Sequence, residues 1–232
     1  MKGDVLIIED VRELSELVSL YLTKEGLDVQ AVESAEEGLV MLETRQPDLI
    51  ILDLNLPGMD GFEFLQTLRR RSGIPVIIVS ARNSDEDLIS GFSTGADEFV
   101  TKPFSPRVLA ARVRALLQRI RRIQEEAPGK SFRFGPFTLD FDACVLKKND
   151  EKIQLSAKEY EVLSYLARHA GRPSGPEQIY NECWQNNYGD LTTVAVYIQR
   201  LRKKIEDNPA EPAYIETVHG MGYRLNTGEE GP

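Results

Sequence analysis

The sequence predicts an α/β domain, a doubly wound five-stranded parallel sheet, followed by a smaller α+β domain. Three observations carry this expectation. Short apolar runs alternate with helix-period patterns through residue 122, a polar Pro128-Gly129 segment interrupts the chain, and beyond it hairpin-like runs give way to three helical patterns. At 232 residues the chain exceeds one usual domain and accommodates two, each with its own core.

Residues 5–8 form the first apolar run, and Leu14, Leu17, Val18, Tyr21 and Leu22 follow at helical spacing. Residues 49–52 and 75–79 repeat the strand signature, with Phe62, Leu65 and Leu68 as a helical stripe between them. Another stripe runs through Leu109, Val113, Leu116, Leu117 and Ile120. Strands that are apolar throughout are buried on both faces, as in a parallel sheet sandwiched by helices. The polar stretch 124–130 marks a linker, so the domains are expected at 1–122 and 131–227, with 123–130 between them and 228–232 as a tail. The second domain opens with β-rich runs at 132–141 and 145–155, broken at Gly135-Pro136 and Asn149-Asp150. Ser156 with Glu159 three residues on is a capping box, starting a helix through Tyr160, Val162, Leu163 and Leu166 that Gly171 stops. Helical patterns at 177–183 and 193–205 follow, then runs at 214–218 and 220–224 that read as a hairpin. Three helices and a terminal hairpin are the winged-helix plan.

Composition narrows the function classes. The chain is 41% hydrophobic and 28% charged, and no apolar run approaches the length needed to cross a bilayer. Four apolar residues after Asp4 are too few for a secretory signal, so a cytoplasmic protein with no membrane partner is expected. Cys144 and Cys183 lack metal-site spacing and are expected as reduced thiols. The net charge of −9 argues against a nucleic-acid protein, but its distribution softens this. There are 15 basic and 22 acidic residues through Ala127, and 13 and 15 after it.

In open α/β sheets ligands bind beyond the carboxyl ends of the strands. The apolar runs of the first domain end in Glu9-Asp10, Asp53, Ser80 and Lys102-Pro103. Three carboxylates on one rim repel unless a cation neutralises them, which implies a hard, oxygen-ligated ion such as Mg²⁺. An Asp carboxylate can attack phosphorus, Lys102 and the ion would offset charge on phosphoryl oxygens, and Ser80 would hydrogen-bond one of them. Asp53, ending the central strand before Leu56-Pro57-Gly58-Met59, is the candidate nucleophile.

These residues, together with ILDLNLPGMDGFEFL (51–65) and GADEFVTKPF (95–104), resemble the receiver domain of bacterial response regulators, a flavodoxin-like fold. The resemblance implies that a sensor histidine kinase phosphorylates Asp53, that Glu9, Asp10, Asp53 and the Asn55 carbonyl hold Mg²⁺, and that the peptide before Pro103 is cis. It also implies a switch pair of Ser80 and Phe99, with Phe replacing the family's more frequent Tyr. Asn55 and Arg82 fall where the family tunes dephosphorylation.

In the second domain, Val194, Ile198, Leu201 and Ile205 form an inward stripe, leaving Thr193, Tyr197, Gln199, Arg200, Arg202, Lys203 and Lys204 expected on an outer face suited to phosphates and base edges of duplex DNA. The segments LSAKEYEVLSYLARHAGRP (155–173), VAVYIQRLRKKIE (194–206) and YIETVHGMGYRL (214–225) resemble the OmpR/PhoB effector domain. By that resemblance 193–205 is a recognition helix in the major groove, the hairpin around Gly220–Gly222 is the wing, and Thr217 and Tyr223 flank it as backbone contacts, with His219 a further DNA-binding candidate. Departures are Thr192, Gln199 and His219 where the family often has Arg, Ala195 where it has Asp, and Tyr197 where it has His. Fewer cations imply a different site or weaker intrinsic affinity, with a shallower salt dependence. In the subfamily phosphorylation promotes a homodimer on tandem half-sites, and RNA polymerase is a further expected partner. Phe92, Asp97, Glu98, Arg112 and Arg119 resemble the dimer face, whereas Leu88, Ser93 and Val108 replace a cation and two Glu residues there and imply a modified dimer. Two other readings compete: a phosphatase of the haloacid-dehalogenase kind, disfavoured because Asn55 cannot act as its acid, and a regulator that works without phosphorylation.

Overall fold

The computed structural model describes residues 3–82, 84–125, 131–184 and 191–227. The chain forms two compact units that divide between Arg121 and Arg122. In the first, β1 (Asp4–Ile8), α1 (Arg12–Lys24), β2 (Asp28–Val32), α2 (Ala35–Thr44), β3 (Leu49–Asp53), α3 (Gly61–Arg69), β4 (Val76–Ser80), α4 (Asp85–Thr94), β5 (Glu98–Thr101) and α5 (Pro106–Glu125) alternate strictly. The strands form one parallel sheet in the order β2-β1-β3-β4-β5.

The period of two along each strand divides the core. Val5, Ile7, Ile51, Ile77 and Val79 face Val18 and Leu22 of α1 and Leu109, Val113 and Leu116 of α5. Leu6, Ile8, Ile50, Leu52 and Ile78 face Phe64, Leu65 and Leu68 of α3. Every residue of β3 and β4 is buried, the four apolar residues of each run and the polar residue that ends it, Asp53 or Ser80, alike. Ser34, Asp60 and Ser84 cap α2, α3 and α4 by accepting the backbone N–H of Glu37, Glu63 and Asp87. Because β1 lies between β2 and β3, the winding direction reverses there, and the carboxyl ends of β1 and β3 border the crevice where such sheets bind ligands. α5 continues to Glu125, beyond the boundary expected at 122, and the rest of the expected linker, 126–130, lies outside the described residues.

The second unit begins with an antiparallel sheet of β6 (Ser131–Phe134), β7 (Phe137–Asp140), β8 (Val145–Lys148) and β9 (Glu151–Ile153). Asn149 and Asp150 join β8 to β9 at φ 49° and 69°, the left-handed pair that a two-residue hairpin needs. Three helices follow, α6 (Ala157–Arg168), α7 (Pro176–Trp184) and α8 (Thr192–Ile205), then the hairpin of β10 (Ile215–Val218) and β11 (Gly222–Leu225). The capping box at the start of α6 is complete: Ser156 accepts from Glu159 N–H while the Glu159 carboxylate accepts from Ser156 N–H. Gly222, at φ 111°, is a position where no side chain fits, because a Cβ would collide with the carbonyl oxygen of Ser174. That closeness lets Tyr223 exchange both backbone hydrogen bonds with Ser174, at 2.8 and 2.9 Å, fixing the hairpin against the start of α7. Val162, Leu163, Leu166, Ile179, Val194, Ile198, Leu201, Ile215 and Leu225 make the core. Neither Cys144 nor Cys183 forms a disulfide. Among the described residues no helix is long and apolar enough to cross a membrane.

Candidate functional site

The ends of β1, β3 and β5 bring Glu9, Asp53 and Lys102 together. Lys102 Nζ donates to Asp53 Oδ2 at 2.7 Å and to Glu9 Oε2 and Oε1 at 2.8 and 3.0 Å. Glu9 and Asp53 are buried, whereas Asp10 beside them is exposed. Carboxylate oxygens of Glu9, Asp10 and Asp53 lie within 4.8 Å of one another. An octahedral ion with bonds of about 2.0–2.1 Å places its ligand oxygens about 2.9 to 4.2 Å apart, so the three acids fit Mg²⁺ after a small closure. Burial pushes the Glu9 carboxyl above its ordinary range, opposed by the bond from Lys102 and reinforced by Asp53. Burial alone would lower the Lys102 pKa, but its bonds to Asp53 and Glu9 outweigh that and hold it raised. Lys102 is thus a firmly charged ammonium between two anions.

The remaining residues of the rim surround this cluster. The Asn55 backbone N–H donates to Asp53 Oδ1 at 3.0 Å, which fixes the carboxylate plane. Ser80 is fully buried, and its Oγ accepts the Arg82 N–H at 3.2 Å. Arg82 Nε donates to Asn55 Oδ1 at 3.0 Å, and its guanidinium lies 5.7 Å from the centre of the Phe62 ring. Phe99 is half-buried in β5 against Gly91 of α4, where an added Cβ would stand only 3.1 Å from the ring. The Lys102–Pro103 peptide is cis.

The two halves of the chain match separate families. Residues 5–114 match the response regulator receiver domain, and residues 150–225 match the C-terminal domain of transcriptional regulatory proteins. Transcriptional regulatory protein AfsQ1 of Streptomyces coelicolor is 41% identical over 223 residues, covering 96% of this chain and 97% of that protein. The chain belongs to the OmpR/PhoB-type response regulators. Sensory transduction protein RegX3 of Mycobacterium tuberculosis is 40% identical across 95% of this chain and 98% of its own. Among solved structures, a RitR mutant superimposes with a TM-score of 0.80 at 27% identity, covering 99% of this chain and all of that one. The Thermotoga maritima OmpR/PhoB homolog DrrB gives 0.51 at 30% identity, covering 97% and 100%. This response regulator is therefore a phosphorylation-controlled DNA-binding transcriptional regulator and not a metabolic enzyme.

The effector corrects several expectations. Tyr197 and Thr193, expected on the outer face of α8, are buried. The Tyr197 ring packs edge-on against Trp184 at 5.4 Å, because the apolar stripe of α8 is wider than its 4-3-4 spacing suggests and takes in the flanking positions. Three of the four expected cations also have internal partners. Arg200 Nε and Nη2 both point at Glu159 Oε1, at 2.8 and 2.7 Å. Lys204 Nζ donates to Glu159 Oε2 at 2.6 Å and to the Gln154 carbonyl at 2.7 Å. Arg202 binds the Ile215 carbonyl through Nε and Nη2, at 2.9 and 2.6 Å, and Thr217 Oγ1 at 2.8 Å. Gln199, Lys203, Thr217 and His219 are exposed, and Tyr223 is half-buried beneath the Arg202 guanidinium. Burial by itself would raise the Glu159 carboxyl, yet Arg200 and Lys204 outweigh it and hold the pKa below 4.5. Sequence reading found the cap at Glu159 but missed its role as the anchor of two cations 41 and 45 residues away, for which no local signal exists. It also missed Glu206, whose carboxylate accepts the backbone N–H groups of Ala213, Tyr214 and Ile215 at 2.8–3.2 Å.

On the receiver, Asp97 is corrected as well. It is buried, and its Oδ2 accepts from Arg69 Nη2 at 2.9 Å and Val76 N–H at 2.8 Å, so it pins α3 to β4 instead of standing on an outer face. Glu98 pairs with Arg112 at 2.7 Å within the chain. Phe92 and Arg119 are half-buried, Ser93 and Val108 are exposed, and the side chain of Leu88 lies outside the described residues.

Proposed function

We propose that Asp53 is the phosphoacceptor, working in the cytoplasm with Mg²⁺ held by Glu9, Asp10, Asp53 and the Asn55 carbonyl. The observation that carries this is the triad of Asp53, Lys102 and Glu9 at 2.7–3.0 Å, with Asp10 close enough to complete a hard-ion site. An Asp53 oxygen attacks phosphorus as the bond to the kinase phosphohistidine breaks, leaving an acyl phosphate on the chain. The bound ion would supply charge for the phosphoryl oxygens. Lys102 sits where it can follow one of those oxygens when it leaves Glu9, and the Ser80 hydroxyl lies on the same rim. Phe99, held at the open side of Gly91, is placed to turn inward when Ser80 rotates.

In this reading residues 1–122 form the receiver, 123–130 the linker and 131–227 the DNA-binding domain. Phosphorylation favours a homodimer through Phe92, Glu98, Arg112 and Arg119, seating two winged helices on tandem half-sites within reach of RNA polymerase. DNA contact is assigned to Gln199, Lys203, Thr217 and His219 directly, with Arg200, Arg202, Lys204 and Tyr223 positioning them. Incubation with acetyl phosphate and Mg²⁺, followed by mass spectrometry and DNA-binding titration, tests the scheme. The wild-type chain is expected to gain one phosphoryl group and DNA affinity, and Asp53→Asn neither. A chain that binds DNA equally before and after phosphorylation would refute the switch.

A further inference from the structure

The outward face of α8 differs in chemistry from what its composition suggests. Thr192, Ala195, Gln199 and Lys203 are its exposed residues. Their spacings of 3, 4 and 4 at about 100° per residue confine them to an arc of about 80°. Of these only Lys203 is charged.

Guanine is read by presenting two parallel N–H groups of an arginine to its O6 and N7. Both arginines of α8 have their Nε–Nη2 edge committed internally, Arg200 to Glu159 and Arg202 to the Ile215 carbonyl and Thr217. Lys204 is committed to Glu159 and Gln154. The exposed arc instead offers one carboxamide, which has the donor and acceptor that match adenine N6 and N7, and one bare methyl, which suits the thymine methyl group. Ala195 and Gln199 are one turn apart, about 6 Å along the axis, so they address neighbouring base pairs.

Resting on the DNA-binding reading above, we propose that Gln199 is the specificity-determining residue of this regulator and reads adenine, with Ala195 against a neighbouring thymine methyl, so that each half-site carries an A·T step at the centre of the helix contact. Lys203 supplies the phosphate contact of the arc.

The test is selection of bound sequences from a random duplex library by the full chain treated with acetyl phosphate and Mg²⁺, followed by titration of single-base variants of the winning duplex. Replacing the predicted A·T pair with G·C is expected to weaken wild-type binding about tenfold. Gln199→Ala should erase that preference, so that the A·T and G·C duplexes bind alike, and Gln199→Arg should move it to G·C. A selected site with G·C at the centre that Arg200→Ala or Arg202→Ala abolishes, or a Gln199→Ala profile identical to wild type, overturns the adenine readout alone. Enrichment of no duplex by a chain that does acquire phosphate overturns the DNA-binding reading and the readout with it.

Discussion

Neutralising Glu159 by Glu159→Gln should destabilise the second unit by about 3 kcal/mol. The carboxylate side chain is fully buried and meets Arg200 and Lys204, whose side chains are 12% and 28% exposed. Two charge pairs at effective interior dielectric give a gross attraction of several kcal/mol, most of it already spent on desolvating three ions. Charge-assisted hydrogen bonds are worth about 1.5–3 kcal/mol net each. Gln keeps one acceptor and the N-cap geometry, and Lys204 can rehydrate, which removes part of the loss. Arg200, pinned above the Tyr197 ring at 5.4 Å, has less freedom to do so. Trp184, the single tryptophan, is buried in α7 and reports on this unit alone. Urea unfolding followed by its fluorescence should show the midpoint falling by about 1–3 M with unchanged slope. The pH dependence has a definite sign. Because the folded pKa of Glu159 lies below 4.5, its contribution is present above that value and is lost as pH falls through the folded pKa. Wild type should therefore lose stability more steeply than Glu159→Gln in acid below about pH 4.5. A midpoint unchanged within error at pH 7 would show that the buried pair contributes nothing and would refute this energetic account.

Further expectations follow from the same contacts. Lys102→Ala should lower receiver stability without Mg²⁺, by about 1–3 kcal/mol, because Glu9 and Asp53 then face each other unneutralised, and it should tighten Mg²⁺ binding, measurable by calorimetry. Asp97→Asn should cost about 2–4 kcal/mol of receiver stability in a denaturant titration, through its loosened bond to Arg69, whereas a residue serving only a dimer face would leave the monomer unaffected. Glu206→Ala leaves three backbone N–H groups without their acceptor and should cost about 2–4 kcal/mol by the same Trp184 assay. Releasing Arg200 and Lys204 in Glu159→Gln should steepen the salt dependence of DNA binding by up to about two units of slope, read from affinities between 50 and 200 mM salt.

The receiver was legible because its signals are local or positional. A uniformly apolar run names a buried strand, and the polar residue that ends it stands at the sheet's edge whatever the rest of the chain does, which is why Glu9 and Asp53 meet without any pairwise clue, joined by Lys102 just past the short strand Glu98–Thr101. Capping at Ser156 was legible for the same reason, since both partners lie within one turn. Asp97 and Tyr197 were misplaced because their surroundings are set by residues far off in sequence: Arg69 lies 28 positions from Asp97, and Trp184 comes from a different helix than Tyr197. A helical wheel shows which positions are candidates for the surface, not which are taken inward by a distant partner.

Charge illustrates the same limit with a functional consequence. Four cations in α8 suggest a strongly basic surface, but Glu159 neutralises two of them, and Arg202 spends its donors on the hairpin backbone. Counterion release scales with the phosphates actually contacted, so a helix presenting Lys203 alone gains little sequence-independent affinity. For a switch that is an advantage. If one winged helix bound duplex DNA tightly through phosphates, occupancy would already be high in the unphosphorylated monomer, and dimerisation would have little left to add. In the proposed dimer, weak single-site binding would leave the effective concentration created by pairing two receivers as the dominant contribution, and promoter occupancy would then follow phosphorylation at the proposed acceptor, Asp53.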